Sequence, residues 1–131
     1  MSYLIDTNIF IFMATRQKDS LSDGVQYIMA QPENVPCMSI ESVRELIVMH
    51  NNDKMVVKLG KSAKEMIDNV KNEYNISVLP WKTEYLATYA ELDINKHQDH
   101  NYLSDRIIIA HAITGNLPLI SADRKFPYYR S

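Results

Sequence analysis

Three apolar residues near the amino terminus, Tyr3-Leu4-Ile5, stop on a carboxylate, Asp6, and helix-forming sequence follows at once in Thr7-Asn8-Ile9-Phe10. A short apolar run of this kind reads as a buried strand. In an open parallel α/β sheet, ligands sit in the crevice beyond the carboxyl ends of the strands, so an acid at that point is aimed at a site. Asp6 has two readings. It is the N-cap of the helix it precedes, or a member of a catalytic group, and the segment alone weighs the two equally.

The rest of the chain repeats the pattern. Val35-Pro36-Cys37-Met38 reads as a second strand, with Pro36 near its start where a missing N–H is tolerated. Ile76-Ser77-Val78-Leu79 reads as a third and Leu117 to Ser121 as a fourth. Between them, helical spacing of apolar residues predicts helices from Thr7 to about Arg16, from about Ser22 to Ala30, and from Ile40 to about His50 behind a Ser39 cap. A long helix is expected after Asn51-Asn52-Asp53, reaching to about Tyr74. Two more follow, one capped by Thr83 and the other running from Leu103 through Ala112. Strands alternating with helices predict an α/β fold whose central parallel sheet has four strands, flanked by helices. Asn95 to Asn101 is polar and aperiodic and reads as a loop, in which His97 and His100 are solvated rather than metal-bound.

A chain of 131 residues suits one compact domain, 1–131. Cys37 is the only cysteine, which excludes an intramolecular disulfide and a thiolate zinc cluster and suits a reducing cytoplasm. There is no signal-peptide pattern at the amino terminus and no apolar run near the roughly 20 residues of a membrane span, so a soluble cytoplasmic protein is expected. The formal charge of −2, from 16 acidic and 14 basic residues, points by itself to neither nucleic acid nor membrane. Four acids gathered at a metal would leave the remaining surface mildly positive.

Four acids share one logic. Asp6 and Asp123 lie just past strand ends. Asp105 lies in the first turn of a buried helix, behind Ser104, where the helix dipole stabilises an anion. Glu45 lies in the helix after the second strand, directly before Leu46-Ile47, and reads as deeper than Glu41 one turn away. For Asp6 and Asp105 the bland alternative is a well-formed helix start. In right-handed winding, however, strand ends and the starts of the following helices lie along one edge of the sheet, so all four can converge. Two like charges about 4 Å apart repel by about 4 kcal/mol at an effective dielectric of about 20. A divalent cation removes that cost, and oxygen-only donors select Mg²⁺ or Mn²⁺. Such an ion activates water for attack on phosphorus, which implies phosphodiester hydrolysis.

With these residues the chain resembles the PIN domain nucleases, and in size and motif order it is most similar to the VapC toxins of bacterial toxin–antitoxin pairs. The markers are Leu4-Ile5-Asp6-Thr7-Asn8, Glu45-Leu46, Asp105 ahead of Ile109-Ala110-His111-Ala112, and Leu119-Ile120-Ser121-Ala122-Asp123. The resemblance implies a metal-dependent endoribonuclease in which Asp6, Glu45, Asp105 and Asp123 are the catalytic, Mg²⁺- or Mn²⁺-binding acids. It implies Thr7, Asn8 and Ser121 as hydrogen-bonding support, RNA as substrate, a cognate antitoxin as partner, and a homodimer.

Family members often continue into a further edge strand, which the short stretch Arg124 to Ser131 leaves vestigial or absent here. Arg44 and Arg106 adjoin Glu45 and Asp105, and helical neighbours point about 100° apart, so these arginines are expected at the rim, where they could meet phosphate. Lys54, Lys58, Lys61 and Lys64 form either a phosphate-binding ridge or, the commoner meaning, a solvated helix face. The competing function is a PIN-fold RNA- or protein-binding module with little or no turnover. Four mutually repelling carboxylates argue against it. A phosphotransfer receiver domain is disfavoured because the third strand ends in Leu79-Pro80 rather than in an aspartate.

Overall fold

Alternation along strand β1 (Ser2–Ile5) decides the architecture. Tyr3 and Ile5 enter one apolar cluster with Phe10, Met38, Leu46, Met66 and Val70. Leu4 enters another with Cys37, Ile108 and Ala112. Successive strand residues point to opposite faces, so the sheet is covered on both sides. Burial of each of the three residues Tyr3, Leu4 and Ile5 is all but complete, which stabilises by about 1.5–3 kcal/mol apiece.

The computed structural model describes residues 1–52, 60–91, 93–94, 103–121 and 129–130, with backbone alone at 18, 91, 93–94, 103–105 and 129–130. From β1 the chain runs through α1 (Thr7–Ala14), a 3-10 turn (Lys18–Ser20), α2 (Asp23–Ala30), β2 (Val35–Ser39), α3 (Ile40–Asn51) and α4 (Ala63–Asn72). It continues through β3 (Ser77–Leu79), α5 (Thr83–Glu91), β4 (Asp93–Ile94), α6 (Leu103–Thr114), β5 (Leu119–Ile120) and β6 (Tyr129–Arg130). Four strands form a parallel sheet in the order β3-β2-β1-β5. The expected α/β layout with β1 internal is therefore present. The fifth strand takes another form: β6 pairs antiparallel with β4 in a separate two-stranded unit.

Pro36 is the second residue of β2, as its missing donor requires. Val35 N bonds Met1 O on the β1 side, so the next amide position faces β3, where pairing begins only at Cys37.

The long helix expected up to Tyr74 is not continuous. Residues 60–62 are non-helical and α4 starts afresh at Ala63. Ser62 Oγ accepts from Glu65 N at 3.2 Å, and Glu65 Oε2 accepts from Lys61 N at 2.7 Å. The Ser62 bond satisfies a donor that a new helix start leaves open, and the Glu65 bond fixes the chain just ahead of the cap. Gly60 fits under it because a Cβ there would stand 2.7 Å from Glu65 Cβ and 3.0 Å from Met66 N. Lys54 and Lys58 lie outside the described residues. Lys61 precedes α4 and Lys64 lies in its first turn, paired with Asp68 at 3.4 Å with both side chains exposed. A single lysine ridge along one helix is thus not formed by Lys61 and Lys64. No helix among the described residues is long and apolar enough to cross a membrane.

Candidate active site

The carboxyl edge of the sheet is set by register. Ile5 stands beside Met38 on one side and Ile120 on the other, so the next residues, Asp6, Ser39 and Ser121, form a row just beyond the strands. Asp6 is 3% exposed. Its N donates to Ile120 O at 3.2 Å. Its Oδ1 accepts from Ile9 N at 2.9 Å, capping α1, and its Oδ2 accepts from Ser121 Oγ at 2.5 Å. Asp6 is thus a cap and a member of the edge row at once. Each carboxylate oxygen carries two lone pairs, so a capping bond and a ligand can share one carboxylate.

The buried Thr7 hydroxyl donates to Glu45 Oε1 at 2.7 Å, tying the start of α1 to the middle of α3. Burial pushes the Glu45 carboxyl above its ordinary range; the Thr7 bond opposes this, Glu41 adds to it, Arg44 offsets it, and Asp6 raises it further. Two acids separated by 38 residues of sequence therefore feel each other's charge across one edge of the sheet.

Glu41 departs from its expected depth. It is the more buried of the α3 acids at 7% exposure, while Glu45 is half-buried. Arg44 Nε donates to both Glu41 oxygens, at 2.5 and 2.7 Å, and Ser39 Oγ accepts from Glu41 N at 3.0 Å. The sequence signal was the i, i+3 spacing of Glu41 and Arg44 in the first turn of α3, which outweighs the nearness of Glu45 to Leu46-Ile47.

Asn8 is exposed on the first turn of α1. Asp105 lies in the first turn of α6, which starts at Leu103, one residue ahead of the expected Ser104 cap; its side chain is outside the description. Asp123, His97 and His100 also lie outside the described residues. Arg106 does not face a rim. It lies over the Tyr89 ring, 4.9 Å from the centroid, and its Nη2 donates to Tyr89 O at 3.3 Å. The contact between α5 and α6 therefore holds it. Arg44 stands at a rim, with a side chain 56% exposed.

The sequence profile of the family described as PIN domain matches residues 3–130. The chain belongs to the PIN domain family. No curated protein matches it. Two solved structures share the PIN domain fold at 21% identity. A chain of VapBC2 from Rickettsia felis, bound to a DNA fragment from their promoter, aligns over 97% of this chain and 92% of its own with a TM-score of 0.66. A chain of VapBC-1 from nontypeable Haemophilus influenzae aligns over 96% and 90% with a TM-score of 0.64.

The chemistry of the donor set in this PIN domain fits a hard divalent cation. Asp6 and Glu45 offer oxygen only, Asp6 is buried and Glu45 half-buried, and each receives a hydroxyl bond that fixes its orientation. Among the described residues no group of three or more His, Cys, Asp or Glu is gathered as metal ligands. The described side chains thus supply two of the four expected acids.

Proposed function

We propose that this PIN domain is a cytoplasmic, metal-dependent endoribonuclease, using Mg²⁺ or Mn²⁺ to hydrolyse RNA phosphodiester bonds, and that it is the toxin of a toxin–antitoxin pair. The observation that carries the reading is the electrostatic coupling of two carboxylates, the buried Asp6 and the half-buried Glu45, at the carboxyl edge of the sheet, with hydroxyl donors from Thr7 and Ser121 behind them. Asp6 and Glu45 would hold the cation, joined by Asp105 from the first turn of α6 and by Asp123. The chemistry such an ion supplies is acidification of a water and neutralisation of charge on a phosphate. Thr7 favours the ionised form of Glu45 by donating to it, against the effect of burial, and Ser121 orients Asp6 from the end of β5. The VapBC composition of both structural relatives supports a cognate antitoxin as partner, and a homodimer completes the reading.

Purified protein incubated with single-stranded RNA is expected to cleave it with Mg²⁺ or Mn²⁺ and not after chelation. Cleavage that persists unchanged in Asp6→Asn would sink the mechanism. Expression is expected to arrest growth, and co-expression of the neighbouring gene to relieve the arrest; a housekeeping nuclease would show neither effect.

A further inference from the structure

The α3 ion pair is asymmetric in a way that stability does not explain. The Glu41 side chain is 6% exposed, whereas its partner Arg44 is 56% exposed. A pair open to water at one end adds little to stability, while a buried carboxylate is costly to desolvate. Glu41 and Glu45 are also the two carboxylates whose charges act on Arg44. Of the two, Glu41 is the carboxylate that bonds Arg44 directly through both of its oxygens.

We propose that Glu41 is a positioning residue for the substrate: it holds the Arg44 guanidinium at the mouth of the carboxylate site, so that Arg44 meets a backbone phosphate of the RNA strand. This rests on the RNA-hydrolysis reading above. Three features support it. The Nε–H shared between both Glu41 oxygens orients the guanidinium, its planar fork suits phosphate, and a group ordered beforehand loses less freedom on binding. The first turn of α3 eases the burial of the Glu41 charge through the helix dipole and the Ser39 cap. A cation at the rim also offsets the repulsion that Asp6 and Glu45 exert on an approaching polyanion.

The test is steady-state cleavage of a fluorescent single-stranded RNA oligonucleotide in Mg²⁺ by wild type, Glu41→Gln, Glu41→Asp, Arg44→Ala and the Glu41→Gln/Arg44→Ala double variant. Circular dichroism melts are taken on each. Glu41→Gln is expected to raise KM roughly 3- to 10-fold, the scale of one charge-assisted contact at a rim, with a smaller change in kcat. Glu41→Asp should recover part of the loss, and the double variant should be no worse than Arg44→Ala. Loss of Arg44 should reduce the slope of log KM against log salt by about 0.7, as for one single-strand phosphate. An unchanged KM, additive effects in the double variant, or a fall in kcat at constant KM would each overturn the proposal, the last because Glu41 would then act on the metal-binding acids. Absence of cleavage by wild type refutes the function instead. In that case, equal anisotropy titrations of the same RNA with wild type and Glu41→Gln overturn the positioning role separately.

Discussion

The Thr7 hydroxyl donates to Glu45 Oε1 at 2.7 Å, joining the first residue of α1 to the middle of α3. It is a direct hydrogen bond between the two chain segments that supply Asp6 and Glu45. It lowers the Glu45 pKa against the raising effect of burial.

Replacing Thr7 with valine keeps the branched shape and removes the donor. The Glu45 pKa should then rise further, so the acidic limb of the pH–rate profile moves to higher pH. Loss of an outer-shell bond of this kind costs about 10- to 100-fold in activity or metal affinity. A cleavage profile recorded from acid to neutral pH measures both effects, and an unmoved acidic limb would contradict the role of this bond.

Asp6→Asn separates the two duties of Asp6. Asparagine caps a helix as well as aspartate does, so the thermal transition should stay nearly in place while cleavage is lost. Asp6→Ala removes the cap as well, at a cost of about 1 kcal/mol. Melting curves of the two variants beside their RNA cleavage distinguish cap from ligand.

The strand-to-acid boundary at Asp6 was legible because Tyr3-Leu4-Ile5 is apolar on both faces and a carboxylate cannot continue such a strand. The four-stranded parallel sheet followed from the repetition of that unit. Other features depend on partners distant in sequence. The apolar spacing of Met66, Val70 and Tyr74 extends backwards past Gly60 without a visible break, and only the bonds of Ser62 and Glu65 show that α4 begins there. Arg106 was placed at a rim on the helical angle alone, whereas its position follows from Tyr89, which no local pattern predicts. Glu41 looked shallower than Glu45 because sequence adjacency to apolar residues does not reveal that an arginine one turn on permits burial.

The cap of α4 makes Gly60 a stability determinant. Gly60→Ala forces a Cβ against Glu65 Cβ and the Met66 backbone, an overpacking that costs about 1–3 kcal/mol. Urea unfolding should show a lower midpoint at an unchanged m-value. A neutral result would mean that the Gly60–Glu65 approach relaxes freely.

His111 gives the fold an acid sensitivity. It is fully buried, stacked at 5.2 Å and 19° on Trp81 and 4.4 Å from the Tyr85 ring, and neither ring nitrogen has a hydrogen-bond partner among the described residues. Burial lowers its pKa from 6.5 to about 4. The unfolded chain binds this proton from about pH 6.5 downward and the folded chain only near pH 4, so the contribution is complete above about 6.5 and is lost as pH falls to about 4. The loss is about 3 kcal/mol. His111→Leu should flatten that part of the stability–pH curve without weakening the protein at neutral pH, since an apolar side chain leaves no nitrogen unpaired. Urea midpoints at neutral and acid pH for both proteins decide this, and an equally steep curve in the variant would assign the slope to other groups.

Glu45 should reverse its effect on stability with the metal. Its folded pKa is raised, so the folded state binds this proton more tightly than the unfolded chain does. Stability is therefore lost as pH rises through the interval between the two values, and at neutral pH the ionised side chain is a net cost. Glu45→Gln removes that cost and can still accept from Thr7, so the metal-free variant should melt above wild type. Ligand binding reverses the order. An ion that binds only the folded state at about 100 times its Kd stabilises by about 2.7 kcal/mol, and this gain should accrue to wild type but not to Glu45→Gln. The shift should shrink at acid pH, because the carboxylates must release protons to bind. Thermal melts of both proteins in chelator, Mg²⁺ and Mn²⁺ test the crossing. An equal metal-induced rise in the two proteins would remove Glu45 from the ligand set.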